Sequence, residues 1–169
     1  MKMAIFTIFM SVICAFFLIW QIDNHVSSSA YYKLKDTLDV ATHDASLQID
    51  MISLNQGIIK FDSTKAEEAL LQSLKVNLKL DNYNHPIAPN IFRPTDQLQY
   101  KIMAVDTGCP GKPSGFPCVF DAWAGSDGYI DTLEGPSVVA IITMRHPRPF
   151  GISKDKNFVV GSSHEYKGF

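Results

Sequence analysis

Asp39 and His43 stand four residues apart in a stretch of helical periodicity, so both fall on one helix face. Such a pair can orient a general base or contribute to a metal site, but its commoner role is a solvated pair on a charged helix surface. Arg145-His146-Pro147-Arg148-Pro149 gathers guanidinium groups and an imidazole that could hold an anion. It follows an apolar run, where a polar turn at a strand end is the simpler reading. Gly161-Ser162-Ser163-His164-Glu165 places hydroxyls, an imidazole and a carboxylate in a row. Neighbours on a strand point to opposite faces, so these groups do not converge on one substrate. The G-x-S-x-G nucleophile elbow is also absent. Asp121, Asp127 and Asp131 have the residue type of a calcium loop, but their spacing departs from the EF-hand pattern. No P-loop, G-x-G-x-x-G or H-E-x-x-H occurs. The expectation is a non-enzymatic protein with no catalytic, cofactor-binding or metal-ligating residues.

Cys109 and Cys118 bracket CPGKPSGFPC, a loop rich in proline and glycine. In an exported domain this spacing predicts a disulfide closing a surface loop. A redox or metal pair is the rival, but eight residues intervene where C-x-x-C has two, and no adjacent His completes a zinc set. The remaining cysteine, Cys14, lies in an apolar segment.

That segment must position everything else. Met3 to Trp20 runs for eighteen residues without a charge. As a helix it measures about 27 Å, close to a bilayer's hydrocarbon thickness. Residues 1–26 therefore read as an N-terminal membrane anchor, with Ile5, Phe9, Ile13, Phe16 and Trp20 among its apolar positions. Lys2 and the terminal amine precede the run, which predicts a cytoplasmic N-terminus and an extracellular domain, a single-pass cell-membrane protein. A cleavable signal peptide is the competing reading, but its apolar core is ordinarily shorter, and Ser28-Ser29-Ala30 lies far beyond Trp20 for cleavage.

Residues 27–169 are expected to form one extracytoplasmic α+β domain. Its net charge contributes no positive field (the whole chain carries −2), which excludes a nucleic-acid partner. Residues 27–81 form a helical half. From Ser27 to about Asn55, Leu34, Leu38, Ala41, Ala45, Ile49 and Ile52 recur at steps of three and four, and Gly57 is the natural stop. A second helix begins near Asp62-Ser63-Thr64, where Thr64 and Glu67 have capping-box spacing and Asp62 or Ser63 could also cap. Its stripe is Ala66, Leu70, Leu74 and Leu78, and it should pack beside the first. Pro86, Pro89 and Pro94 mark a connecting loop. Residues 96–169 form a strand-rich half, with strands expected at 98–104, 119–123, 129–133, 137–144 and from 158 towards 166. Ser137 to Met144 is too uniformly apolar for an edge. Trp123 is expected in the core, and Tyr31 and Tyr32 lie too far beyond Trp20 for an interfacial belt. Helices first and strands after predict an antiparallel sheet packed against helices.

An apolar N-terminal helix running into an amphipathic helix and then a sheet resembles a pilin-type lollipop. YYKLKDTLDVATHDASLQID and GIIKFDSTKAEEALLQSLKVNLKLD resemble TadE-like pilus-accessory proteins of Gram-positive bacteria. The resemblance implies a structural role, as a membrane-anchored minor subunit or assembly factor of a surface fibre. It does not extend to prepilin processing, because Met1 to Ala15 contains neither glutamate nor glycine. Its implied partners are the membrane, other envelope or pilus proteins and further copies of the chain, met through the anchor and the Leu34–Ile52 stripe. The alternative is a tethered ligand-binding or sensor domain, which would need a pocket near Arg145, His146 and Trp123.

Overall fold

The computed structural model describes residues 2–111, 115–121, 128–147, 149–150 and 157–167. Trp123, Asp127 and Arg148 lie outside the described residues. The first element, α1 (Lys2–Ser46), is one uninterrupted helix of 45 residues. At 1.5 Å per residue it is about 67 Å long. No proline or glycine occurs before Gly57, so nothing in its sequence forces a break. The division between residues 26 and 27 thus falls inside a continuous helix. It marks a change of surroundings, from largely exposed apolar turns to a helix packed in a domain.

That packing begins at Ala30 and continues through Leu34, Leu38, Ala41 and Ala45, all with no exposed surface. The expected continuation to Asn55 is not found. α1 ends at Ser46, Ile49 makes an antiparallel bridge with Phe61, and α2 (Met51–Asn55) is a separate short helix. The reason lies in competing hydrogen bonds. Asp50 N donates to Lys60 O at 2.8 Å and Asp62 N to Gln48 O at 2.9 Å, so residues 48–50 pair with the incoming connection. Asp50 then caps α2, accepting from Ile52 N and Ser53 N. Gly57, at φ +76°, turns the chain out of it.

α3 (Ser63–Leu78) is capped by Asp62, whose carboxylate accepts from Lys65 N at 3.2 Å. Thr64 and Glu67 do not form the capping box, and Glu67 instead accepts from Tyr100 Oη at 2.7 Å, tying α3 to the sheet. Ala66, Leu70, Leu74 and Leu78 are buried as expected, and α3 lies against α1.

The main sheet has strand order β1 (Gln99–Val105), β4 (Ser137–Arg145), β5 (Asn157–Glu165), all antiparallel. A smaller sheet pairs β2 (Cys118–Phe120) with β3 (Asp131–Leu133). β4 is central and covered on both faces, which explains its unbroken apolar run. Val138, Ala140, Ile142 and Met144 join the helices in one core. Val139 and Ile141 join Val105, Phe120, Leu133 and the Cys109–Cys118 disulfide in the other. The chain is thus an α+β fold with a long apolar helix at its N-terminus and a small antiparallel sheet.

Candidate functional site

Met3 to Ser46 contains the one helix among the described residues that is long and apolar enough to cross a membrane. Its most apolar stretch has a mean hydropathy of 2.5 and buries nothing against the rest of the molecule. Ile5, Phe9, Phe16 and Trp20 are exposed (Phe9 by 61%), and Ile13 is intermediate. Soluble monomers rarely expose so large a contiguous apolar surface.

The remaining stripe is turned inward. Leu34, Leu38, Ala41, Ala45 and Ile49 belong to the domain's own core, so they cannot also form a surface that meets another chain. Ile52 leaves the stripe altogether, because α1 has already ended, and it is 73% exposed on α2. The small residues Ala41 and Ala45 admit α3 and the sheet closely, and the stripe is used within the molecule.

A different apolar surface lies outside it, and sequence reasoning missed it. Val40 on α1 and Leu47, the residue just past its end, face Val76 on α3 across an open groove of about 440 Å³, bordered by Ala69, Gln72 and Gln48. All three are exposed hydrophobics. The signal was present in the sequence: Val40 and Leu47 are seven apart, two turns along the arc away from Leu38 and Ala45, but the more regular stripe hid them.

The seam between α1 and β5 organises the polar candidates. Tyr31 meets Phe158 edge-on at 5.9 Å, Lys35 Nζ donates to Gly161 O at 3.2 Å, and His43 lies 4.5 Å from His164 between ring centres. These pairs advance together, so β5 runs alongside α1 in the same direction. The end of β4 and the start of β5 therefore lie nearer the apolar run. Asp39 is engaged by Lys35 at 2.7 Å, and His43 turns to His164, so the spaced Asp39–His43 pair does not form. Ser46 Oγ stands 3.5 Å from His164 Nδ1 at the far end of the same seam.

Ser162, Ser163 and His164 divide between faces, as the strand alternation requires. Ser162 is buried on the helix side with His164. Ser163 donates to Asp131 Oδ2 on the opposite side, and Tyr129 Oη donates to the same carboxylate oxygen at 2.9 Å. Burial first, and then the bond to Asp131, holds the Tyr129 phenol well above its ordinary range. Around this network lies an open depression of about 350 Å³, lined by Asp131, Glu134, Ser137, Glu165 and Lys167 among others. Asp121 is exposed and follows Phe120, the residue paired with Asp131. Among the described residues no group of three His, Cys, Asp or Glu side chains is placed to hold a metal.

Of the Arg145–Pro149 segment, Arg145 and His146 are likewise occupied within the molecule. Arg145 Nη1 lies 3.9 Å from the buried Asp96, and His146 Nε2 meets Ser27 Oγ while its ring stacks on Phe158 at 4.4 Å. This end of the sheet is fastened to α1. Comparison with protein-family models, curated proteins and solved structures finds no match to this chain.

Proposed function

We propose that this chain is a membrane-anchored, non-enzymatic cell-envelope protein that serves as a minor pilin-like subunit or as a component assembling a pilus or secretion system. Its N-terminus faces the cytoplasm and its α+β domain lies outside. The observation that carries the reading is the continuity of α1, an exposed apolar stretch that becomes, without a break, the spine of a folded domain. A rigid shaft of this kind transmits the position of the membrane span directly to the domain. Lateral contacts fall on the apolar stretch and on the Val40, Leu47 and Val76 groove, since the inward stripe is already used.

The test is disulfide crosslinking in native membranes. Cys14 serves as the intrinsic probe within the anchor, and single cysteines are placed at Tyr32, Val40 and Leu47, with the Cys109–Cys118 bridge intact. Crosslinks at Val40 and Leu47 support assembly through this face. A folded, membrane-extracted chain that crosslinks at none of these positions rules it out. Blocking by a membrane-impermeant thiol reagent reports the orientation: labelling at Tyr32 in intact cells supports an external domain. The second reading, a tethered ligand-binding domain, rests on the polar depression around Asp131 and Glu165.

A further inference from the structure

Beyond β4, the chain meets α1 at Phe150, one turn past the apolar run. Phe150 N donates to Asp23 Oδ1 at 3.3 Å, and His146 is held by Ser27 on the next turn. Asp23 follows Trp20 by three residues, about 4.5 Å along the helix axis. The Phe150 backbone is therefore fixed within one helical turn of the end of the apolar stretch. Its ring is 51% exposed, as is that of Trp20, and Ile22 between them is 47% exposed. The ring contact of His146 with Phe158, and the edge-on contact of Phe158 with Tyr31, hold the end of β4 and the start of β5 against α1. The height of Phe150 relative to the apolar stretch is thus set by the fold.

We infer that Phe150 is a second membrane contact, with lipid as its partner. This inference rests on the reading of Met3–Trp20 as a membrane span. When that stretch spans a bilayer, Asp23 and Ser27 sit at the headgroups and the Phe150 ring enters the interfacial layer beside Trp20. The phenyl ring gains there by leaving water for the apolar side of the layer, and an indole placed at the same position also finds partners there for its N–H. A domain tied to a bilayer by one helix can tilt about it. A second contact off the helix axis removes that freedom and presents the Val40–Val76 groove at a fixed angle to neighbouring chains.

The test uses the full chain reconstituted in vesicles of phosphatidylcholine and phosphatidylglycerol, with Trp123→Phe in every variant. Native Trp20 fluorescence, quenched by nitroxide lipids, reports the span. The Trp20→Phe, Phe150→Trp variant reports the inference. Shallow nitroxides are expected to quench the indole at position 150 about twofold or more strongly than deep ones, as befits an interfacial aromatic. An indole at position 150 that neither label quenches, beside a quenched Trp20, overturns the inference and leaves the span reading standing. An unquenched Trp20 overturns both. Should the indole disturb folding, an environment-sensitive label on Phe150→Cys in a Cys14→Ala background makes the same comparison.

Discussion

The ring of Tyr129 lies flat against Gly161, so near that a Cβ added to Gly161 would sit 2.0 Å from Tyr129 Cδ2. The glycine makes room for a half-buried aromatic that links β5 to the second core, where Tyr129 packs with Phe120 and Leu133. Gly161→Ala must push the ring off the strand and break its bond to Asp131. The expected cost is about 1–3 kcal/mol, the usual range for overpacking. Denaturant unfolding of the purified full chain measures it. Adding Tyr129→Ala removes the clash, so the second substitution is expected to make Gly161→Ala nearly neutral in that background.

Leu38→Ala is expected to destabilise the domain by about 2–5 kcal/mol, because Leu38 is fully buried between the helices and the sheet. Ile52→Ala is expected to change stability by no more than about 0.5 kcal/mol, since that side chain is exposed on α2. Equal effects at the two positions would mean that the helix runs on past Ser46 and carries both on one face.

This contrast marks how far the sequence could be read. Ala66, Leu70, Leu74 and Leu78 were legible because local period and tertiary burial agree along α3. β4 was legible because a strand covered on both faces needs apolar residues at every position. The end of α1 was not, because no breaker marks Ser46; the helix stops where residues 48–50 find backbone partners in 60–62. The pairings of His43 with His164 and of Ser27 with His146 join positions more than a hundred residues apart, which no spacing rule reaches. The fold class and the disulfide followed from pattern and composition, whereas the outward groove depended on knowing which helix face was already taken.

The pH dependence of stability follows from groups with shifted ionisation. The Asp62 carboxyl is held below its ordinary value by hydrogen bonds from Lys65, and Asp81 by backbone bonds from His85 and Tyr83. A lowered folded value stabilises above the unfolded pKa, and that contribution is lost as pH falls through the folded one. Stability is therefore expected to decline below about pH 4, and Asp62→Asn with Asp81→Asn should flatten that decline. Tyr129 has the opposite sense. Its raised phenol stabilises fully below the unfolded value, near pH 10, and the contribution is lost as pH rises above it. Tyr129→Phe is expected to remove this alkaline loss in thermal melts run across pH.

Reducing the Cys109–Cys118 bridge opens a loop with a sequence separation of 9 residues. The chain-entropy argument sets the stabilisation at about 2.5–3 kcal/mol. Paired Cys109→Ser and Cys118→Ser substitutions, or reductant alone, are expected to lower the unfolding midpoint accordingly. The loss should appear first in amide-exchange protection of β2 and β3, which share a core with the bridge, and later in α1 and α3.

Val40 and Val76 are 51% and 71% exposed, and Leu47 between them on the groove is 48% exposed. A charge at any of these positions remains in water in the isolated chain, so Val40→Asp, Leu47→Asp and Val76→Asp are each expected to shift folding stability by about 0.5 kcal/mol or less. In an assembly that closes over the groove, the same carboxylate must be buried without a partner, which costs far more than the apolar contact it replaces. Each substitution is therefore expected to abolish crosslinking through Tyr32→Cys while leaving membrane extraction and the unfolding midpoint unchanged. A control at Glu68, exposed on α3 outside the groove, should leave crosslinking intact when changed to Gln. If crosslinking survives all the aspartates, copies meet through the anchor alone, and the groove plays no part in holding them together.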